Sequence, residues 1–199
     1  MKIIKFILAI ILSVLMYGCH KNFQSYISTT TKSYCLFNSD SFWVYQDSAT
    51  LKIDSVVLYN IIKEIKTNDN IDKENYKLSF KNYLKDTILY TESTINSDFV
   101  DNRENQNYYF HNFVDIYLKT YFCKCFGYRY INNILSFFDG KFYENYKLGE
   151  TNFENVIITT NNIDEKNIMI KTYWAENVGI IRYEINNNVY KLINYKVNQ

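Results

Sequence analysis

Apolar and polar residues alternate with a period of two along much of the chain, and this pattern predicts strands. The clearest case is the segment 76–81, where Tyr76, Leu78 and Phe80 alternate with lysine and serine residues. Such alternation is typical of an antiparallel sheet that has one face in solvent. A hairpin is predicted at the end of the chain, because two alternating runs flank the three asparagines at 186–188.

Three other segments are less regular. Residues 51–66 alternate, but a helix that begins at Asp54 is an alternative, since several apolar residues interrupt the pattern. Residues 108–126 fit both the strand period and the helical spacing, and their aromatic and β-branched side chains favour strands. A short turn or helix is predicted near 135–138, the polar run 97–107 indicates a solvated loop, and Asn161-Asn162 is predicted to form a turn.

These patterns predict a mainly β fold. We expect a single antiparallel sheet, or a curved half-barrel or meander, with at most one or two short helices. The composition does not change within residues 34–199, so one β-rich domain is predicted there.

The first eighteen residues have the layout of a secretory signal. Lys2 and Lys5 precede an apolar stretch, residues 6–16, which is too short to span a bilayer comfortably. The sequence Leu15-Met16-Tyr17-Gly18-Cys19 resembles a bacterial lipobox. That resemblance implies cleavage before Cys19 and attachment of acyl chains, palmitate among them, to this residue. An ordinary cleaved signal and an uncleaved anchor with a plain Cys19 thiol are the alternatives.

The charge of the chain argues against a polyanionic partner. The full chain has 22 basic and 21 acidic side chains, and loss of Lys2 and Lys5 would leave 20 against 21, a formal −1. We therefore expect no nucleic-acid partner, and a membrane partner bound through acyl chains rather than through a basic patch. Residues 19–33 are predicted to be a lipidated tether, with at most one early strand. No acidic run follows Cys19, which favours an outer-membrane location facing the periplasm.

Two stretches resemble a family. They are Phe42-Trp43-Val44-Tyr45-Gln46-Asp47-Ser48, and Tyr173-Trp174-Ala175-Glu176-Asn177-Val178-Gly179-Ile180-Ile181-Arg182. These stretches are similar to the W-x-Y-x-D-S strand and the late strand motif of small uncharacterised envelope lipoproteins of Bacteroidetes type. The resemblance implies an antiparallel β lipoprotein with no settled activity, and it carries over no catalytic residue. Other envelope proteins are the partners it implies.

The cysteines after Cys19 are candidates for a disulfide. Cys123 and Cys125 are two residues apart, and their Cα atoms on one strand would be nearly 7 Å apart, at the outer limit for a bridge. A bridge between Cys35 and either of them is geometrically easier. Buried free thiols are the alternative.

Few residues are suited to catalysis. No phosphate loop, nucleophile elbow or HExxH motif is present, and His20 and His111 are the only histidines. We therefore predict no cofactor, no metal site, no catalytic residue and no enzymatic activity.

Aromatic residues are the remaining candidates for ligand contact. Phe, Trp and Tyr make up 18% of the chain, and they either fill the core or line a binding surface. In the second case Trp43, Tyr45, Tyr173 and Trp174 should share one groove. We expect a non-enzymatic binding or structural accessory, and the alternative is a carrier of lipid or another hydrophobic ligand in a curved sheet. A continuous apolar cavity of several hundred Å³ would favour the carrier.

Overall fold

The computed structural model describes the backbone of residues 23–68, 71–84, 87–102, 107–118, 121–131, 134–137, 140–163 and 168–199. Side chains are described for residues 24–67, 71–84, 87–97, 140–160 and 168–199. Within these ranges the chain forms one helix and thirteen strands. The strands and the helix are β1 (Phe23–Ser25), α1 (Thr29–Cys35), β2 (Phe42–Asp47), β3 (Ile53–Asn68), β4 (Ile71–Leu84), β5 (Thr87–Asn102), β6 (Asn107–Leu118), β7 (Tyr121–Ile131), β8 (Ile134–Phe137), β9 (Gly140–Leu148), β10 (Thr151–Ile163), β11 (Ile168–Ala175), β12 (Gly179–Ile185) and β13 (Asn188–Lys196).

The strands form a single sheet, which confirms the predicted fold class. Its order is β8-β7-β6-β5-β4-β3-β2-β13-β12-β11-β10-β9, and every neighbouring pair along this path is antiparallel. The sheet is mixed, because β1 pairs with β4 in parallel. The chain therefore folds as two meanders, β2 to β8 and β9 to β13, which are joined where β13 pairs with β2.

The structure settles most of the ambiguous segments in favour of strands. Residues 53–68 form β3, so the helix that we considered from Asp54 is absent. Of residues 108–126, residues 108–118 lie in β6 and residues 121–126 lie in β7, and the two strands form an antiparallel pair. The predicted last hairpin is confirmed: Ile185 pairs with Asn188, and Asn186 has a φ of 54°, a left-handed conformation that asparagine tolerates better than most residues.

Three local predictions are wrong. Much of the predicted loop 97–107 belongs to β5 and β6, and the predicted turn or helix near 135–138 is largely the strand β8. A predicted turn at Asn161 and Asn162 lies inside β10. The polar residues at 97–107 were misleading because they pair through their backbones in the β5–β6 ladder. Ser97, for example, is buried and donates hydrogen bonds to the carbonyls of Ser25 and Glu74.

The two ends of the strand path are close in space. Only two residues separate Phe137 at the end of β8 from Gly140 at the start of β9, so their Cα atoms are at most about 11 Å apart. β7 also approaches β10. The sheet must therefore curl, although no ladder joins β8 to β9 in the described residues.

The curled sheet surrounds its main hydrophobic core. One cluster unites buried residues from strands that are distant along the path, including Leu58 of β3, Ile95 of β5 and Ile157 of β10. α1 contributes Tyr34 and Cys35 to the same cluster. The helix thus fills the concave side of the sheet. A second cluster lies on the opposite face of β10 to β12 and includes Val156, Ile158, Tyr173 and Ile181.

The packed fold begins earlier than the boundary predicted at residue 34. Ile27 and Thr31, which we had placed in the tether, are 3% and 0% exposed. The segment looked like a tether because it is short and polar, yet its polar groups find partners in the fold. The side-chain oxygen of Ser28 accepts from the Thr31 backbone N–H and caps α1.

Candidate functional site

Three of the four aromatic residues proposed for ligand contact lie together in the main core. Trp43 and Tyr45 point from β2 across the concave side, where Trp43 Nε1 donates to the Val178 carbonyl at 2.6 Å and Tyr45 Oη donates to the Ile180 carbonyl at 2.7 Å. Trp174 belongs to the same cluster, and its Nε1 donates to Thr172 Oγ1. All three side chains are buried. They act as core residues whose polar atoms are satisfied inside the protein.

Tyr173 points to the other face of the sheet. It is the neighbour of Trp174 on β11, and adjacent residues of a strand face opposite ways. Its ring lies 4.8 Å from the Arg182 guanidinium carbon, and its hydroxyl donates to Glu184 at 2.7 Å. Burial, followed by the hydrogen bond to Glu184, raises the pKa of Tyr173. The four aromatics therefore do not line a single groove.

A small apolar cavity remains beside the three grouped aromatics. It has a volume of about 80 Å³, and Cys35, Phe37, Leu78 and Phe80 are among its lining residues. Ligand pockets usually measure about 300–1,000 Å³. The space on the concave side is small because α1 and the aromatic rings occupy it.

Cys35 is a free thiol at the wall of this cavity. Its Sγ donates to the Thr31 carbonyl at 2.8 Å, and burial raises the pKa of the thiol. A thiol with a raised pKa is a poor nucleophile. Because Cys35 is a free thiol, no bridge passes through it in the part of the chain that the structure describes. The side chains of Cys123 and Cys125 are outside the described residues, and a bridge between them stays a prediction.

A second, polar cleft of about 240 Å³ opens where β10 and β11 meet the turn before β12. Glu154, Glu176, Asn177 and Tyr195 are among its lining residues. The Glu176 carboxylate accepts from Asn155 Nδ2 at 2.6 Å and from Ser33 Oγ at 3.2 Å. The cleft therefore lies next to the place where α1 contacts the turn after β11. The Glu176 carboxylate stabilises this contact through its two hydrogen bonds.

The most strongly built polar site of the described chain surrounds Glu74 on β4. This carboxylate is 1% exposed and receives four hydrogen bonds. The donors are the Ile27 backbone N–H at 2.9 Å, Lys32 Nζ at 3.1 Å, Lys63 Nζ at 2.9 Å and Tyr76 Oη at 2.9 Å. Two of the donors, Ile27 and Lys32, come from the first folded residues of the chain. Glu74 therefore fastens the N-terminal segment to the sheet.

The donors decide the protonation state of Glu74. Burial by itself would raise the pKa of the carboxyl, but the hydrogen bonds from Lys63, Ile27, Lys32 and Tyr76 outweigh burial and hold the pKa at about 2. Glu74 is thus a charged anchor near neutral pH rather than a proton donor.

The other end of α1 is fastened to the opposite side of the curled sheet. Tyr34 Oη donates to the Asn155 carbonyl of β10 at 2.7 Å, and the Asn177 N–H donates to the Ser33 carbonyl at 2.7 Å. β1 and α1 together therefore connect β4 to β10 and to the β11–β12 turn. We call this unit, residues 23–35, the N-terminal clasp.

Potential metal ligands are dispersed in the part of the chain that the structure describes. They contain no group of three or more His, Cys, Asp or Glu side chains that could hold a metal ion. The side chains of both histidines are outside the described residues. Within the part of the chain that the structure describes, no helix is long and apolar enough to cross a membrane.

Glu74 is the functional residue that the sequence analysis missed. A signal was present, since Glu74 has the same strand parity as Tyr76, Leu78 and Phe80 and so stands on their apolar face. A carboxylate on an apolar face requires partners. The partners Ile27 and Lys32 are more than forty positions away in the sequence, so the pattern on β4 does not identify them.

Comparisons with protein-family models, with curated proteins and with solved structures find no match to this chain. The class that the fold and the site define is accordingly a broad one: a mainly β domain with a curled, mixed sheet and an N-terminal clasp.

Proposed function

We propose that this chain is a bacterial envelope lipoprotein, anchored to the outer membrane through acyl chains on Cys19 and facing the periplasm. The single observation that carries the proposal is the order of sequence features at the N-terminus: two lysines, an apolar stretch of eleven residues, and a small residue directly before Cys19. Two or three acyl chains would hold the domain stably, since each buried CH₂ adds about 0.8 kcal/mol.

The position of Cys19 relative to the fold supports this proposal. The first described strand begins at Phe23, four residues after Cys19, and its chain is secured by Glu74. A lipid on Cys19 would therefore be attached to a rigid part of the domain.

For molecular activity we propose a non-enzymatic binding or structural accessory whose partners are other envelope proteins. The filled concave side of the sheet supports this role over a carrier, because a space of about 80 Å³ is several times smaller than common ligand pockets. The alternative, a lipid or hydrophobic-ligand carrier, has in its favour only the apolar lining of that small cavity.

Metabolic labelling with an alkyne fatty acid tests the anchor. The wild-type chain should incorporate the label, and the Cys19→Ser variant should lose it, because the serine hydroxyl does not replace the acylated thiol. Cys35→Ser is the matched control, since it also removes a thiol and should keep the label. Equal labelling of wild type and Cys19→Ser would refute the proposal.

A further inference from the structure

The outer half of β3 is an exposed strand edge. β2 pairs with β3 only from Ile53 to Val57. From Tyr59 onward, β3 pairs with β4 on one side and with no other strand among the described residues. We call residues 59–67 the β3 edge.

This edge carries apolar and basic side chains together. Ile62 and Ile65 are 42% and 54% exposed. Lys63 and Lys66 lie between and beside them, and their side chains are 53% and 65% exposed although each contacts a glutamate. Ile62 and Ile65 are three positions apart on the strand and therefore point to opposite faces of the sheet, one on each side of the edge. Apolar side chains that flank an edge in this way fit the interface of a lipid bilayer that the edge meets, since both can enter the headgroup region. Lys66 pairs with the exposed Glu64 and can keep its ammonium group at phosphate level, whereas Lys63 is held by Glu74.

The β3 edge lies close to the point where the chain enters the fold. Phe23 pairs with Ile71 of β4, and Ile71 pairs with Asn68 of β3. Two strand spacings, about 10 Å, therefore separate β1 from β3 at this level. Cys19 precedes Phe23 by four residues, which span at most about 14 Å. An anchor at Cys19 thus holds the Asn68 end of β3 within roughly 25 Å of the acyl chains, and Ile65, three residues further along the strand, within roughly 35 Å.

We propose that the β3 edge contacts the surface of the lipid bilayer in which Cys19 is anchored, with Ile62 and Ile65 in the headgroup region. The inference rests on the lipidation of Cys19 given under the proposed function. The short connection between Cys19 and β1 keeps the local concentration of lipid at this edge high, so weak apolar contacts are enough to hold the edge at the bilayer. A second strand is a poorer occupant, because the charges of Lys63, Glu64 and Lys66 oppose edge-to-edge pairing.

Tryptophan scanning on the full chain tests the contact. Ile65→Trp places a reporter on the β3 edge, and Ile53→Trp is the matched control. Ile53 is on the same strand, is 52% exposed against 54% for Ile65, and lies about 40 Å away along the strand. The native Trp43 and Trp174 are buried and give the same background in both variants.

The lipidated variants are placed in phosphatidylcholine vesicles with and without bromine on the acyl chains, and tryptophan emission is compared. Bromine quenches at short range, so emission of Ile65→Trp should fall about twofold more than emission of Ile53→Trp, as expected for a side chain at the acyl boundary. Equal quenching at the two positions, or quenching at Ile53→Trp alone, would overturn the proposal. If bromine quenches the emission at neither position and the protein sediments as a dimer, the β3 edge would instead be an interface between two copies of the chain.

The same design separates this proposal from the lipidation on which it rests. If the purified chain carries no acyl group, it does not float with vesicles and the proposed function fails at that step. The two variants are then tethered to nickel-chelating vesicles through a hexahistidine that replaces residues 1–18. Preferential quenching at Ile65→Trp in this form supports the contact, and equal quenching refutes it.

Discussion

Replacing Glu74 by glutamine tests whether the N-terminal clasp stabilises the fold through charge. Glu74→Gln keeps the size of the side chain and removes its negative charge. Lys32 and Lys63 then lose their carboxylate, and one of the two positions that accept hydrogen bonds becomes an NH₂ donor. The buried amide faces the Ile27 N–H, another donor. The substitution should therefore weaken the attachment of β1 and α1 to β4.

The pKa of Glu74 gives the size of the effect. The pKa falls from 4.5 to about 2 on folding. A difference of one pKa unit corresponds to about 1.4 kcal/mol, so the charged form contributes about 3 kcal/mol to the free energy of unfolding at neutral pH. The carboxylate is 1% exposed, but the side chains of its partners Lys63 and Lys32 are 53% and 31% exposed, so solvent screens part of the attraction and about 3 kcal/mol is an upper value.

The effect must depend on pH in a defined direction. The folded-state pKa is depressed, so the stability is fully present above about pH 5 and is lost as pH falls through 4.5 toward 2. The difference between wild type and Glu74→Gln should be at most about 3 kcal/mol at pH 7 and about half of its pH 7 value at pH 3. Urea unfolding at both pH values measures it, and at pH 7 the midpoint should drop by about 1–2 M.

Glu92→Gln is the control for this experiment. Glu92 also pairs with a lysine, Lys77 at 2.8 Å, but its side chain is 57% exposed. An exposed pair contributes less than about 1 kcal/mol. A loss below 1 kcal/mol for Glu74→Gln at pH 7, or an equal loss at pH 7 and pH 3, would refute the reasoning.

Two further predictions concern the main core. The Cys35 thiol should resist alkylation by iodoacetamide at pH 8 in the native protein and react in urea, because burial raises its pKa; rapid native modification, followed by mass spectrometry, would contradict its buried position. Gly179→Ala should lower the free energy of unfolding by about 2–3 kcal/mol, since Gly179 has a φ of 92° and an added Cβ would lie 3.1 Å from the Phe37 ring and 3.3 Å from Trp43 Nε1. Gly149→Ala is its control, because Gly149 has a φ of 61° and no atom lies within 4 Å of the added Cβ. Only the backbone cost of about 1 kcal/mol should appear for this variant in the same urea titration. Equal losses of stability in the two variants would contradict the steric argument.

The strands of this protein were predictable where one face is buried. Tyr76, Leu78 and Phe80 alternate because one face of β4 packs on the main core, while the other face carries the polar residues Lys77, Ser79 and Lys81. Asn186 was predictable as a turn residue because its left-handed backbone suits asparagine. In both cases the residues of the segment itself are enough to predict its structure.

The same kind of argument failed where long-range partners supply the stability. Ser97 looked like a loop residue, yet it is buried by hydrogen bonds to the carbonyls of Ser25 and Glu74, 72 and 23 positions away. Ile27 looked like part of a tether, yet Glu74 holds its N–H. No local pattern specifies such pairs, because they depend on how the sheet curls.

The clasp also determines what an anchor at Cys19 does to the domain. With residues 23–35 held by Glu74 and Asn155, only three residues of chain lie between Cys19 and the first strand, Phe23–Ser25. If the clasp were released, its thirteen residues would join this connection and lengthen it by up to about 45 Å. If Cys19 carries the proposed acyl chains, the longer connection would hold the domain less closely to the bilayer and would lower the local concentration of lipid at the β3 edge. In the proposed lipoprotein, the buried charge of Glu74 would therefore connect the stability of the fold to the distance between the domain and the membrane.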